Sequence, residues 1–121
     1  MDSAQQVGQA QQGRARQVTG GSGAVAAGHP LAARAAVQVL ERGGNAVDAT
    51  VAAQAVCAVV MPQACGLGGD ALMLVRTGDG VLGLTGSGRS PAGAPTGPPG
   101  DGGASVTVPG AVQAWVDAVH R

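Results

Sequence analysis

Between Leu31 and Arg42 the polar side chains are Arg34, Gln38, Glu41 and Arg42, at offsets of 0, 4, 7 and 8. On a helix that spacing gathers them into one solvent-facing stripe and leaves Leu31, Val37, Val39, Leu40 and the alanines to the other sides. Pro30 suits the first turn of such a helix, and Gly43 and Gly44 suit its end. From Ala46 to Met61 the only polar side chains are Asp48, Thr50 and Gln54, and they share no stripe. The pattern predicts a second helix that is apolar on nearly every side and therefore buried. It is too short, and too interrupted by its early Asp, to span a bilayer. Asn45 is placed to cap it, its side-chain oxygen accepting from free first-turn amides. Asp48 can reach back to the cap and sits at the positive end of the helix dipole. The two helices are expected to form a tight pair.

The pattern changes after Met61. Gly66-Leu67-Gly68-Gly69 reads as a tight turn where backbone passes close to another segment. Ala71–Val75 is apolar on both alternating faces, which predicts a central strand covered on both sides. Arg76–Gly80 is a turn cluster, and Val81–Leu84 can return antiparallel to complete a hairpin. Thr85–Pro91 leaves the sheet as a loop, and Ala92–Gly103 is rich in Pro and Gly and irregular. A last helix starts near Pro109. Its Val112, Trp115, Val116 and Val119 recur at helical spacing on one face that needs a partner. No stop signal closes it, so the C-terminus reads as a truncation. Upstream, Gly23–Ala27 reads as a short strand with Gly28 as its turn. Residues 1–22, made mostly of Gln, Gly, Ala and Arg, read as a disordered leader.

Composition qualifies this picture. The chain has 121 residues, zero formal net charge, 22 glycines, one Trp and no Phe or Tyr. Its apolar fraction of 45% consists mainly of Ala and Val. Burying Ala removes little area from water, at roughly 25 cal/mol per Å², and glycine adds chain entropy to be lost on folding. The chain therefore reads as one piece of a larger fold. Lys is absent and the Arg residues are scattered, which argues against nucleic acid or an acidic membrane surface as partner. Met1–Gln6 has neither a basic n-region nor an apolar h-region, so a cytoplasmic location is expected.

Candidate chemistry is sparse. The glycine turn at Gly66–Gly69 follows a helix and precedes a strand. Phosphate loops run in the opposite order, with a helix N-terminus facing the phosphate. His29, at a turn among alanines, reads as a capping or packed histidine, and His120 as exposed. Cys57 and Cys65 flank the end of the second helix and read as buried thiols. Their spacing matches no zinc motif, and a disulfide does not suit a chain without an export signal. Arg89 stands apart. It follows the second strand in Gly86-Ser87-Gly88-Arg89-Ser90-Pro91, where glycines allow close approach and Pro91 stiffens the exit. A guanidinium there suits bidentate capture of a carboxylate, although a solvated loop Arg fits the same pattern.

Several stretches in order carry a resemblance: Ala27–Ala32, Leu40–Asp48, Gly66-Leu67-Gly68-Gly69-Asp70, Gly86–Pro91 and Val108-Pro109-Gly110. Over about residues 23–121 the chain resembles the N-terminal part of the large subunit of gamma-glutamyltransferases (gamma-glutamyltranspeptidases). The Gly-Gly-Asp and Gly-Ser-Gly-Arg variants look most like the branch that includes acylases and hydrolases. The resemblance implies an α/β fold, a fragment of a four-layer α/β/β/α N-terminal-nucleophile hydrolase sandwich. It implies residues 23–121 as a partial large-subunit domain, and a precursor that cleaves itself into two subunits. An N-terminal Thr of the small subunit then attacks a gamma-glutamyl amide, typically of glutathione, its own amine serving as base. The acyl group passes to water or to an amino acid. By the motif match, Arg89 binds the alpha-carboxylate of the glutamyl group. Asn45, Asp48, Gly66, Gly68 and Gly69 would be structural cap and loop residues.

The family nucleophile lies in a Thr-Thr-His motif, and no Thr of this sequence is followed by His. The expectation is a chain with no catalytic residue of its own and no activity alone. No cofactor or metal is implied. The implied partners are a gamma-glutamyl small molecule and the remainder of the enzyme or its small subunit, with no nucleic acid and no membrane. The competing reading is a non-catalytic remnant or interaction module that pairs its apolar helices with a partner chain.

Overall fold

The computed structural model describes residues 19–90, 92–93 and 102–121. Most of the expected leader and the centre of the Pro/Gly-rich segment lie outside the described residues. The chain divides into two compact units, Met1–Pro62 and Gln63–Arg121.

The first unit is a helical pair, α1 (Pro30–Glu41) and α2 (Ala46–Val60). Its joint is set by local chemistry. Past the end of α1, Gly43 adopts φ +88°, a left-handed conformation that costs glycine least. There its amide donates to the Leu40 carbonyl, and the Gly44 amide donates to that of Val39, both at 3.0 Å. This double bond is the Schellman closure of a helix end. The chain then re-enters a helix at Asn45. Asn45 Oδ1 accepts from the amides of Val47 (2.7 Å) and Asp48 (3.0 Å), and Asp48 Oδ2 accepts from the Asn45 amide at 3.0 Å. Each residue thus satisfies donors that the helix start leaves open. At the other end of α1, His29 is the N-cap, its Nδ1 accepting from the Leu31 amide.

Packing in this unit follows α1 as expected: Arg34, Gln38, Glu41 and Arg42 are exposed, while Ala32 and Ala36 are buried. Two expectations fail. α2 buries only Ala49 fully, and Val59 is 78% exposed. A single helix and a short segment can cover only part of a cylinder that is apolar all round. Residues 23–29 also form no strand. They lie where a Cβ on Gly23 would touch Leu40 and one on Gly28 would touch Met61. A strand needs a ladder partner, and none is present among the described residues.

The second unit holds an antiparallel hairpin, β1 (Leu72–Thr77) and β2 (Gly80–Thr85), followed by a 3-10 turn at Gly103–Ser105 and by α3 (Ala111–Val119). Both strands run closer to the turn than expected, with Thr77 paired to Gly80. The register places Met73 opposite Leu84 and Val75 opposite Leu82 on one face. Leu72, Leu74 and Val81 fall on the other and are exposed, Leu74 at 82%. The expected cover on both faces is therefore absent among the described residues. α3 also departs from its periodicity. Its buried side is Ala111, Ala114 and Ala118, with Trp115 half-buried against the cluster of Ala71, Ala111 and Ala114, while Val112, Val116 and Val119 are exposed. The neighbour of α3 is glycine-rich backbone, which admits only small side chains.

Candidate functional site: the Arg89 loop

β2 runs out into Gly86. The Gly86 amide donates to the Ala71 carbonyl at 2.7 Å, which prolongs the hairpin by one bond beyond the paired strands. Two residues later the chain lies against the segment before α3. The Val108 amide donates to the Arg89 carbonyl at 3.1 Å. A Cβ on Gly88 would run into the Val108 carbonyl, and one on Gly110 would run into the Gly86 carbonyl. A Cβ on Gly86 would lie 2.6 Å from the Gly110 oxygen and from the Ala114 Cβ. Backbone thus packs on backbone at three glycines, at distances that no side chain permits.

A third loop joins them. The Gly69 carbonyl accepts from the amides of Gly110 (3.2 Å) and Ala111 (3.0 Å). It caps the start of α3, which has no side-chain cap of its own. Next in the chain is Asp70. Its Oδ1 accepts from Thr107 Oγ1 at 2.8 Å and its Oδ2 from Ser87 Oγ at 3.0 Å. These two hydroxyls, with the Gly88 amide, hold the carboxyl below the usual carboxylate range, against a smaller opposing effect of desolvation. One side chain therefore ties together residues 17 and 37 positions away.

Arg89 is exposed at the tip of this assembly. Its guanidinium has no hydrogen bond or ion pair to another described residue, so its planar fork of donors is open to a ligand. The tie at Asp70 orders its backbone without occupying its charge.

Of the residues singled out from sequence, Arg89 and Gly69 meet in this assembly. Gly66 closes a turn by accepting from the Gly69 amide at 3.2 Å. A Cβ on Gly66 or Gly68 would meet nothing within 4 Å. The turn meets another segment through the Gly69 carbonyl, bonded to the Gly110 and Ala111 amides, while the glycines of this assembly that leave no room for a Cβ are Gly86, Gly88 and Gly110. Asn45 and Asp48 belong to the cap of α2, in the other unit. The expectation of two buried thiols is corrected: Cys57 is half-buried, Cys65 is exposed, and neither is in a disulfide. Asp70, Ser87 and Thr107, which the fold ties together, are not among the residues singled out from sequence. Their signal in the sequence is a carboxylate and two hydroxyls inside or beside the glycine motifs, and only the fold pairs them. Among the described residues, no group of three or more His, Cys, Asp or Glu could hold a metal. No helix among them is long and apolar enough to cross a membrane.

The architecture is that of a portion of an N-terminal-nucleophile hydrolase. The gamma-glutamyltranspeptidase of Pseudomonas nitroreducens, solved with L-DON, matches with a TM-score of 0.73 at 30% identity, over 85% of this chain and 34% of that one. The transpeptidase CapD of Bacillus anthracis matches with a TM-score of 0.70 at 29% identity, over 84% of this chain and 32% of that one. The gamma-glutamyltranspeptidase family profile matches residues 32–121, and the chain belongs to that family. Among curated relatives, the glutathione hydrolase-like YwrD proenzyme of Bacillus subtilis is 39% identical over 116 residues, covering 88% of this chain and 22% of the relative. The oxamate amidohydrolase proenzyme of Klebsiella pneumoniae is 38% identical over 107 residues, covering 81% and 20%. The chain thus spans about a fifth of the length of these relatives.

Proposed function

We propose that this chain is the part of a gamma-glutamyl amide-cleaving enzyme that captures the substrate's alpha-carboxylate. The observation that carries the reading is Arg89, exposed and without a partner among the described residues, on a loop clamped through Asp70 and two glycine contacts. A guanidinium on an ordered backbone loses less freedom on pairing a carboxylate, and its fork matches both oxygens. The chemistry falls to a Thr supplied by the rest of the enzyme. Its hydroxyl attacks the gamma-carbonyl, its own alpha-amine takes the proton, and the amine leaving group departs protonated from an acyl-enzyme. Water or an amino acid then accepts the acyl group. By gripping the far end of the substrate, Arg89 would set the carbonyl within reach of the nucleophile, the orienting role that binding energy plays in catalysis.

Arg89→Lys in the complete enzyme tests this. The charge stays but the fork is lost, so KM for a gamma-glutamyl anilide should rise roughly tenfold with a smaller change in kcat. An unchanged KM would remove Arg89 from the site. The 121-residue chain alone should release no product from the same anilide above the buffer rate, and measurable turnover would refute the division of labour.

The open apolar face of Leu72, Leu74 and Val81 favours a second reading, a non-catalytic module that pairs with a partner chain. The coding sequence immediately downstream separates the two: a continuation that reaches Thr-Thr-His supports the enzyme, and an unrelated or absent one supports the module.

A further inference from the structure

We propose that Asp70 is a positioning residue for substrate capture, fixing the Arg89 loop by bridging it to the segment before α3. The proposal rests on the reading of Arg89 given above. The carboxylate accepts two hydrogen bonds, and one of them comes from the loop that carries Arg89. Ser87 Oγ, two residues before Arg89, donates to Oδ2, and the Gly88 amide nearby favours the ionised carboxylate. The other bond, from Thr107 Oγ1 to Oδ1, comes from a separate segment. One residue beyond Thr107, the Val108 amide holds the Arg89 carbonyl. Arg89 is therefore held on both sides of its own Cα, by Asp70 through Ser87 and by Val108 through its carbonyl. Charge-assisted bonds of this kind are stronger than neutral ones.

The geometry also explains why an acid serves here. Both carboxylate oxygens accept from donors that sit on the two segments to be joined, so one side chain bridges them. Asp70 is exposed, so its place in the structure owes nothing to a packed core. With one oxygen engaged by each of two hydroxyls, it makes no ion pair with Arg89, whose charge stays available to an anion. Removing the carboxylate should leave Arg89 present but its loop free to wander, and the loss should fall on substrates that carry the alpha-carboxylate.

The test measures kcat/KM in the complete enzyme for gamma-glutamyl 4-nitroanilide and for 4-aminobutyryl 4-nitroanilide, which lacks only the alpha-carboxylate. The ratio of the two values is the readout. Asp70→Ala should lower it roughly tenfold, mainly through KM of the carboxylate substrate. Asp70→Asn keeps one acceptor oxygen and should restore part of it. In an Arg89→Lys background, Asp70→Ala should lower the ratio little further, because the two act through one contact. If Arg89→Lys lowers the ratio and Asp70→Ala does not, or if Asp70→Ala slows both substrates equally, the positioning role is overturned while that of Arg89 stands. If Arg89→Lys itself leaves the ratio unchanged, the reading of Arg89 falls and the proposal with it. Should Asp70→Ala fail to mature, Thr107→Val decides: it removes one donor at nearly constant volume and should lower the ratio roughly threefold. An unchanged ratio there overturns the proposal.

Discussion

Single atoms decide the Arg89 assembly. Gly88 has no room for a methyl group, because a Cβ there would meet backbone, which cannot rotate away. Gly88→Ala should therefore separate the Arg89 loop from Val108. Faster exchange of the Val108 amide would report it, and unchanged exchange would show that the contact is not needed. Asp70 adds a pH dependence with a definite sign. Its folded pKa lies below the ordinary carboxylate value, lowered first by Thr107 and then by Ser87. Its contribution is therefore present above the ordinary value and lost as pH falls through the lower, folded one. Protection of the Val108 amide should weaken in that acid range in the native chain and stay flat in Asp70→Asn. Matching profiles would contradict the linkage.

Elements are set by their ends more than by their faces. The start of α2 rests on Asn45 and Asp48, so Asn45→Ala should cost about 1 kcal/mol. First-turn amides of α2 should then exchange roughly fivefold faster. α3 illustrates the other rule, that a neighbour chooses which face is buried. The valine stripe is the larger apolar surface, yet the alanine side is inward because it faces Gly86 and the loop around Gly69. A larger residue there should overpack: Ala114→Leu is expected to destabilise the second unit by roughly 1–3 kcal/mol. Val116→Thr, on the exposed side, should change stability by less than about 0.5 kcal/mol. A thermal melt of both variants tests the contrast, and equal shifts would mean the valine face is the buried one.

At the scale of the whole molecule, the buried apolar residues among those described are seven alanines and Met73. Small side chains remove little area from water, while Leu72, Leu74, Val59 and Val81 stay largely exposed. The described residues thus hold little of the hydrophobic cover that cooperative unfolding requires. Urea should unfold the isolated chain over a broad transition, with a slope below about 1 kcal/mol/M. A steep transition at the slope of an ordinary small domain would show that it is self-sufficient. The chain spans about a fifth of the length of the relatives it matches.

The sequence by itself determined what is local. The periodicity of α1, the glycine end of α1, the Asn45–Asp48 box and the hairpin between Leu72 and Thr85 follow from neighbours within a few positions, so spacing alone reveals them. The motif order was enough for the family, and it singled out Arg89. What burial would look like was not legible, because α2 and β1 are apolar in ways that presuppose surfaces absent from the described chain. Only the tertiary structure decided the site around Arg89. Asp70, Ser87 and Thr107 are distant in sequence, and a carboxylate selects its donors by where folding brings them. The same holds for Gly86, Gly88 and Gly110: the absence of a side chain acquires meaning only when another backbone comes to lie where the Cβ would have been.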